Sequence, residues 1–295
     1  MNNTSNKSFA DIKAEDKASL LVEVLPYIRL WSGKTIVVKY GGNAIGDELS
    51  LSRFAEDIVL MHSVGIKPVV VHGGGPQIGL LMKRLGKEPK FQDGLRVTDA
   101  ETLDIARMVL MGNVNRKIVS TINIHGPLAV GLSGEDAGLI LAAATNKELG
   151  FVGQVENVNP NILNRLLASD LIPVVATIGS DTQGQAYNIN ADSVASAIAS
   201  ALGASKLVFL TNIEGLRKDI DDPKSLISTL SACELQQLIE NGSIVGGMIP
   251  KVQACLKALD GGVGQVHILD GTIPHSLLLE LLTEIGIGTM ITHAN

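Results

Sequence analysis

Aromatic residues make up only 3% of this chain of 295 residues, cysteine occurs twice, and acidic side chains outnumber basic ones by 30 to 24. Each scarcity excludes something. With 45% hydrophobic residues but so few rings, the interior must be built from Val, Ile, Leu and Ala, which suits layers of sheet and helix. Cys233 and Cys255 cannot make a disulfide framework, and neither has CxxC or zinc-ligand spacing, so both are expected on helix faces as inert residues. A net charge of -6 gives no overall electrostatic reason to bind nucleic acid, although a local basic pocket stays compatible with it.

Long apolar runs are missing too. The weakly polar stretch Ser193–Ile213 is broken by Gly203 and Lys206 and is read as a buried helix followed by a strand, not a membrane span. The opening MNNTSNKSFADIKAEDK lacks the apolar core of a secretion signal. Residues 1–16 are therefore expected to be a disordered lead-in, and the chain to be cytoplasmic. No GxxxxGK[ST] loop, internal repeat or long low-complexity segment occurs.

What is present centres on Thr35–Asn43, TIVVKYGGN. Ile36, Val37 and Val38 show no polar alternation, as in a parallel strand covered on both faces. Lys39 should emerge at the strand tip beside two glycines, where a cation and exposed N–H groups suit a phosphate. A lysine snorkelling from an ordinary core strand fits the same pattern.

Beyond it the chain alternates in the βα manner. Leu51, Phe54, Ile58 and Met61 mark a helix, Pro68–Val71 a second buried strand, and Ile78, Leu81, Met82 and Leu85 another helix. Lys87–Val97 is expected to be an extended or hairpin excursion. Thr98 with Glu101 suggests a capping box, and Asn113–Ile124 a further helix. Later strands are expected at Leu128–Leu132, Ile172–Ile178, Lys206–Leu210, Val266–Leu269 and Thr289–Thr292. Helices fall at Ile162–Leu167, Asn190–Leu202, Met248–Leu259 and Ser276–Leu282, with short antiparallel strands before Asn159 and a second capping box at Ser231 and Glu234. Ahead of all this, Leu20, Leu21, Val24, Leu25 and Ile28 make an apolar helical stripe kinked by Pro26. By pattern alone it can fold back on its own domain or dock on another subunit.

Several stretches could carry chemistry. Val71-His72-Gly73-Gly74-Gly75 ends a strand just before a helix, where backbone can approach an anion closely. A plain glycine turn remains open there, as does dinucleotide binding, although Gly73, Gly75 and Gly79 space as GxGxxxG and not GxGxxG. Arg96 in GLRVT can grip a carboxylate or lie on a solvated surface. In Tyr187-Asn188-Ile189-Asn190-Ala191-Asp192, Asn190 suits an N-cap and Asp192 a first turn, or both can read a polar substrate and orient lysines. Gly246-Gly247-Met248-Ile249-Pro250-Lys251 repeats the theme of glycines, helix start and lysine.

KYGGNA at 39–44, VVVHGGGPQI at 69–78, DGLRVTD at 93–99, YNINAD at 187–192, LTNIEGL at 210–216 and GGMIPK at 246–251 together resemble the amino acid kinase family. The nearest resemblance is to its acetylglutamate-phosphorylating branch, and it runs from about Leu20 to Thr292. It implies a three-layer αβα sandwich around a mostly parallel central sheet, of the carbamate kinase-like type. After the kinked helix over 17–32, an N-terminal lobe over 33–203 would bind the acyl amino acid. A C-terminal lobe over 204–295 would bind ATP.

The reaction so implied is ATP-dependent phosphorylation of the γ-carboxylate of N-acetyl-L-glutamate, a step of arginine biosynthesis. Such an acceptor, with a reference pKa of about 4.3, is ionised at pH 7 and needs no general base. The site must supply alignment and relief of charge repulsion. By resemblance, Lys39 and Lys251 would hold the transferring phosphoryl group and the leaving phosphate, Asp192 would position both lysines, and Mg2+ would come with ATP, with no protein side chain as its ligand. Gly74, Gly75, Arg96, Asn188 and Asn190 would bind the acyl amino acid; Gly41, Gly42, Thr211, Asn212 and Gly215 would serve the nucleotide.

Two departures from the family pattern stand out: His125-Gly126-Pro127 has proline where a second glycine is usual, and Glu135 replaces a common lysine. Both put local loop shape in doubt more than activity. PYIRLWSGKTIVVKYGG resembles the arginine-inhibited, hexameric branch, which shifts the expectation for the N-terminal helix towards interlocking dimers. Arginine would then bind near Tyr27, Lys206, His267 and Glu280. Other readings are a kinase for acetylaminoadipate, one methylene longer, a nicotinamide-dependent oxidoreductase, and a non-catalytic arginine-sensing oligomer.

Overall fold

A computed structural model of the chain describes residues 13–41, 47–92, 94–219, 222–244, 246–284 and 286–293. The chain enters through α1 (Ala14–Glu23) and α2 (Leu25–Trp31), then alternates through β1 (Thr35–Tyr40), α3 (Glu48–Ser63), β2 (Lys67–His72) and α4 (Gly75–Arg84). A small hairpin, β3 (Phe91–Gln92) and β4 (Leu95–Arg96), leads into α5 (Ala100–Arg107), a π-helical segment Met108–Asn115 and α6 (Arg116–Asn123). Then come β5 (Ala129–Ser133), β6 (Ile140–Ala144), β7 (Val152–Val158), α7 (Asn161–Ala168), β8 (Ile172–Ala176), β9 (Ile178–Ser180) and β10 (Ala186–Ile189). The remainder is α8 (Ala191–Ala201), β11 (Lys206–Thr211), β12 (Thr229–Ser231), α9 (Ala232–Glu240), α10 (Met248–Asp260), β13 (Gln265–Asp270), α11 (Ser276–Leu282) and β14 (Thr289–Thr292).

Among the described residues the central sheet has eight strands in the order β12-β14-β13-β11-β1-β2-β8-β5, with β13 and β14 its one antiparallel pair. The apolar run in β1 explains its place in the middle. Ile36 and Val38 belong to one buried cluster and Val37 to another, so both faces of the strand are covered. The first cluster draws on α3, α4, α5, α6 and α11; the second on α7, α8, α9 and α10. The fold is thus an αβα sandwich, as expected. Truncating a fully buried residue such as Ile36 to Ala would cost roughly 2–5 kcal/mol. Strands β10, β7, β6 and β9 close on themselves as a small barrel beside the sheet.

Three local expectations need correction. The cap before α5 is Asp99, whose carboxylate accepts from Thr102 N, while Glu101 pairs with Lys87 in place of the Thr98–Glu101 box. Thr98 is buried, and its hydroxyl donates to Arg96 O at 2.8 Å. Asn113–Ile124 is no separate helix: α5 runs through the π-helical segment into α6 without a break. Ile172–Ile178 divides into β8 and β9 and turns the chain from the sheet to the barrel. The kink expected from Pro26 is present: the helix breaks at Val24, just ahead of Pro26, whose ring lacks the N–H that would continue α1. The Ser231–Glu234 capping box is present, and both cysteines lie on helices, Cys233 exposed and Cys255 buried.

Candidate active site

Three elements converge at the C-terminal edge of the sheet. β1 delivers Lys39. At Gly41 an added Cβ would fall 2.6 Å from the Lys39 ammonium, so a side chain there would shift the lysine from its place over the strand end. α8 is started by Asn190, whose Oδ1 accepts from the N–H groups of Asp192 and Ser193 at 2.9 and 3.1 Å. That cap fixes Asp192 in the first turn. α10 brings Lys251 from the other side.

One carboxylate serves both lysines. Lys251 Nζ donates to Asp192 Oδ2 at 2.6 Å, and Lys39 Nζ lies 3.0 Å from Oδ1 as an ion pair without hydrogen-bond alignment. The three side chains are only 12–14% exposed. Lys251 also sits 5.2 Å from the Phe209 ring centre. Burial by itself would raise the Asp192 pKa, but the two ammonium groups outweigh it and hold the carboxylate below its usual range. Lys39 shifts downward, through burial first and through the like charge of Lys251, with Asp192 opposing. Two cations against one anion leave the cluster a net positive charge, matched to an anionic ligand.

Lys39 opens onto a cavity of about 230 Å³, lined also by Gly73, Gly74, Gly75, Arg96, Asn188 and Asn190. The glycine turn is required there. A Cβ at Gly74 would fall 2.7 Å from Leu110 Cδ2. Arg96 is no solvated surface residue: it is 9% exposed, donates to Gly75 O at 2.8 Å, contacts Met82 Sδ at 3.3 Å and lies 4.8 Å from the Phe91 ring centre. Asn188 Nδ2 donates weakly to Thr98 Oγ1 at 3.4 Å.

The nucleotide candidates divide. Asn212 and Gly215 line a second cavity, of about 390 Å³, with Leu216, Ile244, Met248 and Asp270. Gly215 has φ +158°, and a Cβ there would fall 2.4 Å from Thr289 Oγ1. Thr211 does not line this cavity; its hydroxyl exchanges hydrogen bonds with the N–H and C=O of Ile213 and shapes the loop. Gly41 lines the first cavity instead. Gly42 lies outside the described residues.

At the other edge of the sheet Lys206, His267 and Glu280 form a buried chain. Lys206 Nζ donates to His267 Nε2 at 2.8 Å, and His267 Nδ1 donates to Glu280 Oε1 at 2.6 Å. Glu280 Oε2 accepts from the N–H groups of Ile287 and Gly288. These three line a cavity of about 380 Å³. Burial pulls the Lys206 pKa down to about 8, with Glu280 opposing. Tyr27 packs against the core from α2 and does not line this cavity. Sequence reasoning missed Trp31, the chain's single tryptophan, whose ring centre lies 4.4 Å from Lys206 Nζ. Its position one turn after Tyr27 was the available signal.

Comparison with known proteins agrees with this geometry. A profile described as "Amino acid kinase family" matches residues 34–270. The acetylglutamate kinase of Symbiobacterium thermophilum is 53% identical over 290 residues, covering 95% of this chain and 99% of that one. Among solved structures, the N-acetylglutamate synthase of Neisseria gonorrhoeae superposes with a TM-score of 0.82 at 29% identity, over 94% of this chain and 64% of the other, in a complex with coenzyme A and N-acetyl-glutamate. A second structure of that synthase holds coenzyme A and L-arginine and superposes with a TM-score of 0.80 at the same identity, over 94% of this chain and 65% of that one. The carbamate kinase of Giardia shares the fold, with a TM-score of 0.67 at 16% identity over 89% of this chain and 99% of that one. Profile, sequence and fold agree, and the chain belongs to the amino acid kinase family.

Proposed function

We propose that this chain transfers the γ-phosphoryl group of ATP to the γ-carboxylate of N-acetyl-L-glutamate, giving N-acetyl-L-glutamyl 5-phosphate and ADP in arginine biosynthesis. One observation carries the reading. Asp192 holds the ammonium groups of Lys39 and Lys251 on its two oxygens, beside a cavity floored by a glycine turn. Two cations so fixed can bind the migrating phosphoryl group and the leaving phosphate at once, with no reorganisation during the reaction. The acceptor is already an anion, so the site needs no base, and the positive excess offsets the repulsion between carboxylate and phosphate.

The acyl amino acid occupies the Lys39 cavity, in the lobe over 33–203. Arg96 meets its α-carboxylate with the part of the guanidinium not committed to Gly75 O, and Asn188 and Asn190 close the pocket. ATP lies across the lobe over 204–295, between Gly41 and the cavity of Asn212 and Gly215. Asp192, the carboxylate at the centre of the site, is committed to two lysines. Mg2+ would enter with the ATP phosphates and would supply further charge neutralisation there.

Arginine is the proposed inhibitor. The Lys206–His267–Glu280 cavity offers a cation for an α-carboxylate and an anion for a guanidinium or ammonium group, and the Neisseria synthase has been crystallised with L-arginine. In α1 no residue is buried, and Leu20, Leu21 and Val22 are 54–72% exposed. That apolar face supports assembly of dimers into a hexamer through the N-terminal helix, while α2 packs on its own chain through Tyr27, Ile28 and Trp31. Among the described residues no helix is long and apolar enough to cross a membrane, in keeping with a cytoplasmic enzyme.

The test is ADP release dependent on N-acetyl-L-glutamate, measured with and without arginine and repeated with acetylaminoadipate. Release with the first acceptor and inhibition by arginine are expected. Release only with the longer acceptor would reassign the substrate, and arginine binding without turnover would make the chain a sensor.

A further inference from the structure

The kinase reading leaves one buried polar chain unused, and it ends at the glycine turn. His72, the last residue of β2, is fully buried. Its Nδ1 lies 3.0 Å from Gly73 O and its Nε2 lies 3.0 Å from Asn115 Nδ2. Asn115, also fully buried, closes the π-helical segment Met108–Asn115. Its amide cannot be turned round: Nδ2 also donates to Val174 O at 2.9 Å, and Oδ1 accepts from Arg116 at 2.6 Å. Both N–H bonds of Asn115 are thereby committed, one of them to His72.

The tautomer follows from this. A donor faces Nε2, so Nε2 accepts, the ring proton sits on Nδ1, and Nδ1 donates to Gly73 O. Burial supports the neutral ring, pulling its pKa down to about 4. In a trans peptide the C=O and the following N–H point in opposite directions. With Gly73 O held toward the buried ring, the Gly74 N–H of the same peptide turns toward the cavity that Gly74 lines. The same π-helical segment fixes the turn sterically, since Leu110 and Val114 occupy the space where a Gly74 side chain would be. Gly131 leaves room for the far end of the chain, because a Cβ there would fall 1.9 Å from both Asn115 Oδ1 and the Arg116 guanidinium.

We propose that His72 and Asn115 are positioning residues: the relay from Arg116 through Asn115 and His72 to Gly73 O aims the Gly74 N–H at the anionic group in the Lys39 cavity. The proposal rests on the reading of that cavity as the site of phosphoryl transfer. A donor aimed where charge builds up in the transition state acts on kcat more than on ground-state binding. The wide π-helical turn has a role here, for it brings Leu110, Val114 and Asn115 of one segment against a single strand tip.

The test compares two variants at one position. His72→Gln reaches Asn115 but leaves Gly73 O without its donor; His72→Asn keeps a donor near the Nδ1 position and loses Asn115. We expect His72→Gln to lower kcat by about tenfold to a hundredfold, with the KM for ATP changed less than about threefold. His72→Asn should recover most of the lost kcat. Equal losses in the two variants, or no loss in His72→Gln, would overturn the relay. Nitrogen-15 NMR of the wild-type imidazole gives an answer even if neither variant folds: a proton on Nδ1 is expected, and a proton on Nε2 rules the relay out. Lys39→Ala, assayed alongside, separates the two claims, since wild-type turnover in that variant would remove the reading of the cavity itself.

Discussion

Two lysine clusters sit on the same pair of strands and are built in opposite ways. Lys39 lies at the far end of β1, opposite Phe209, and Lys206 lies at the near end of β11, opposite Ile36. Three residues of register separate them, about 10 Å along the strands. They also point to opposite faces: Lys39 meets Asp192 of α8, and Lys206 meets Trp31 of α2. At the first edge one carboxylate carries two ammonium groups, and the excess positive charge faces a glycine-floored cavity. At the second, lysine, neutral imidazole and carboxylate form a balanced chain. An unbalanced cluster suits a polyanion in motion, and a balanced one suits a zwitterion at rest.

The largest expected effect breaks the first cluster. Lys251→Ala should lower turnover by about a hundredfold to a thousandfold, measured as acetylglutamate-dependent ADP release, with the thermal midpoint holding the fold accountable. Arg96→Ala comes next. It should raise the KM for N-acetyl-L-glutamate by about tenfold to a hundredfold and leave the KM for ATP near its original value, because the proposed cationic partner of the substrate carboxylate is removed.

Smaller effects fall on the second cluster. Glu280→Gln should weaken arginine inhibition by about tenfold while altering arginine-free turnover far less than Lys251→Ala does, as seen in dose-response curves. The smallest is a pH effect. Burial holds Lys206 near a pKa of about 8, below its ordinary 10.5, so its ammonium is lost on raising the pH through 8. The proposed arginine inhibition, in which that cation would meet the effector's carboxylate, should weaken from pH 7 to 9. Between about pH 8 and 10.5 the unfolded chain binds more protons at this group than the folded one, so its contribution to stability should rise with pH across that window.

The strands were legible because Ile36–Val38 and Val69–Val71 are unbroken apolar runs, a pattern that burial on both faces imposes. The site was legible for a related reason. Glycine pairs next to a lysine, or ahead of a helix, suit an approach of backbone and cation to one ligand, and an added Cβ at Gly41 or Gly74 would displace Lys39 or Leu110. The cap at Asp99 was misplaced by one residue because Thr98 with Glu101 has the same local spacing, and only the tertiary pairing of Lys87 with Asp99 and Glu101 separates the two. The π-helical segment could not be read from its residues: it is set by packing against Gly74 and by Asn115 reaching His72 across the fold. Trp31 against Lys206 is likewise a contact between distant segments, hinted at locally only by the spacing of Trp31 one turn after Tyr27.

The central claim is that Lys39 and Lys251 act as one unit on the migrating phosphoryl group and the leaving phosphate, through their shared Asp192. A double-mutant cycle on acetylglutamate-dependent turnover tests it most directly. If the ammonium groups work as a unit, Lys39→Ala and Lys251→Ala together should cost little more than either alone. Losses that multiply in full would mean two independent roles, and would contradict the account.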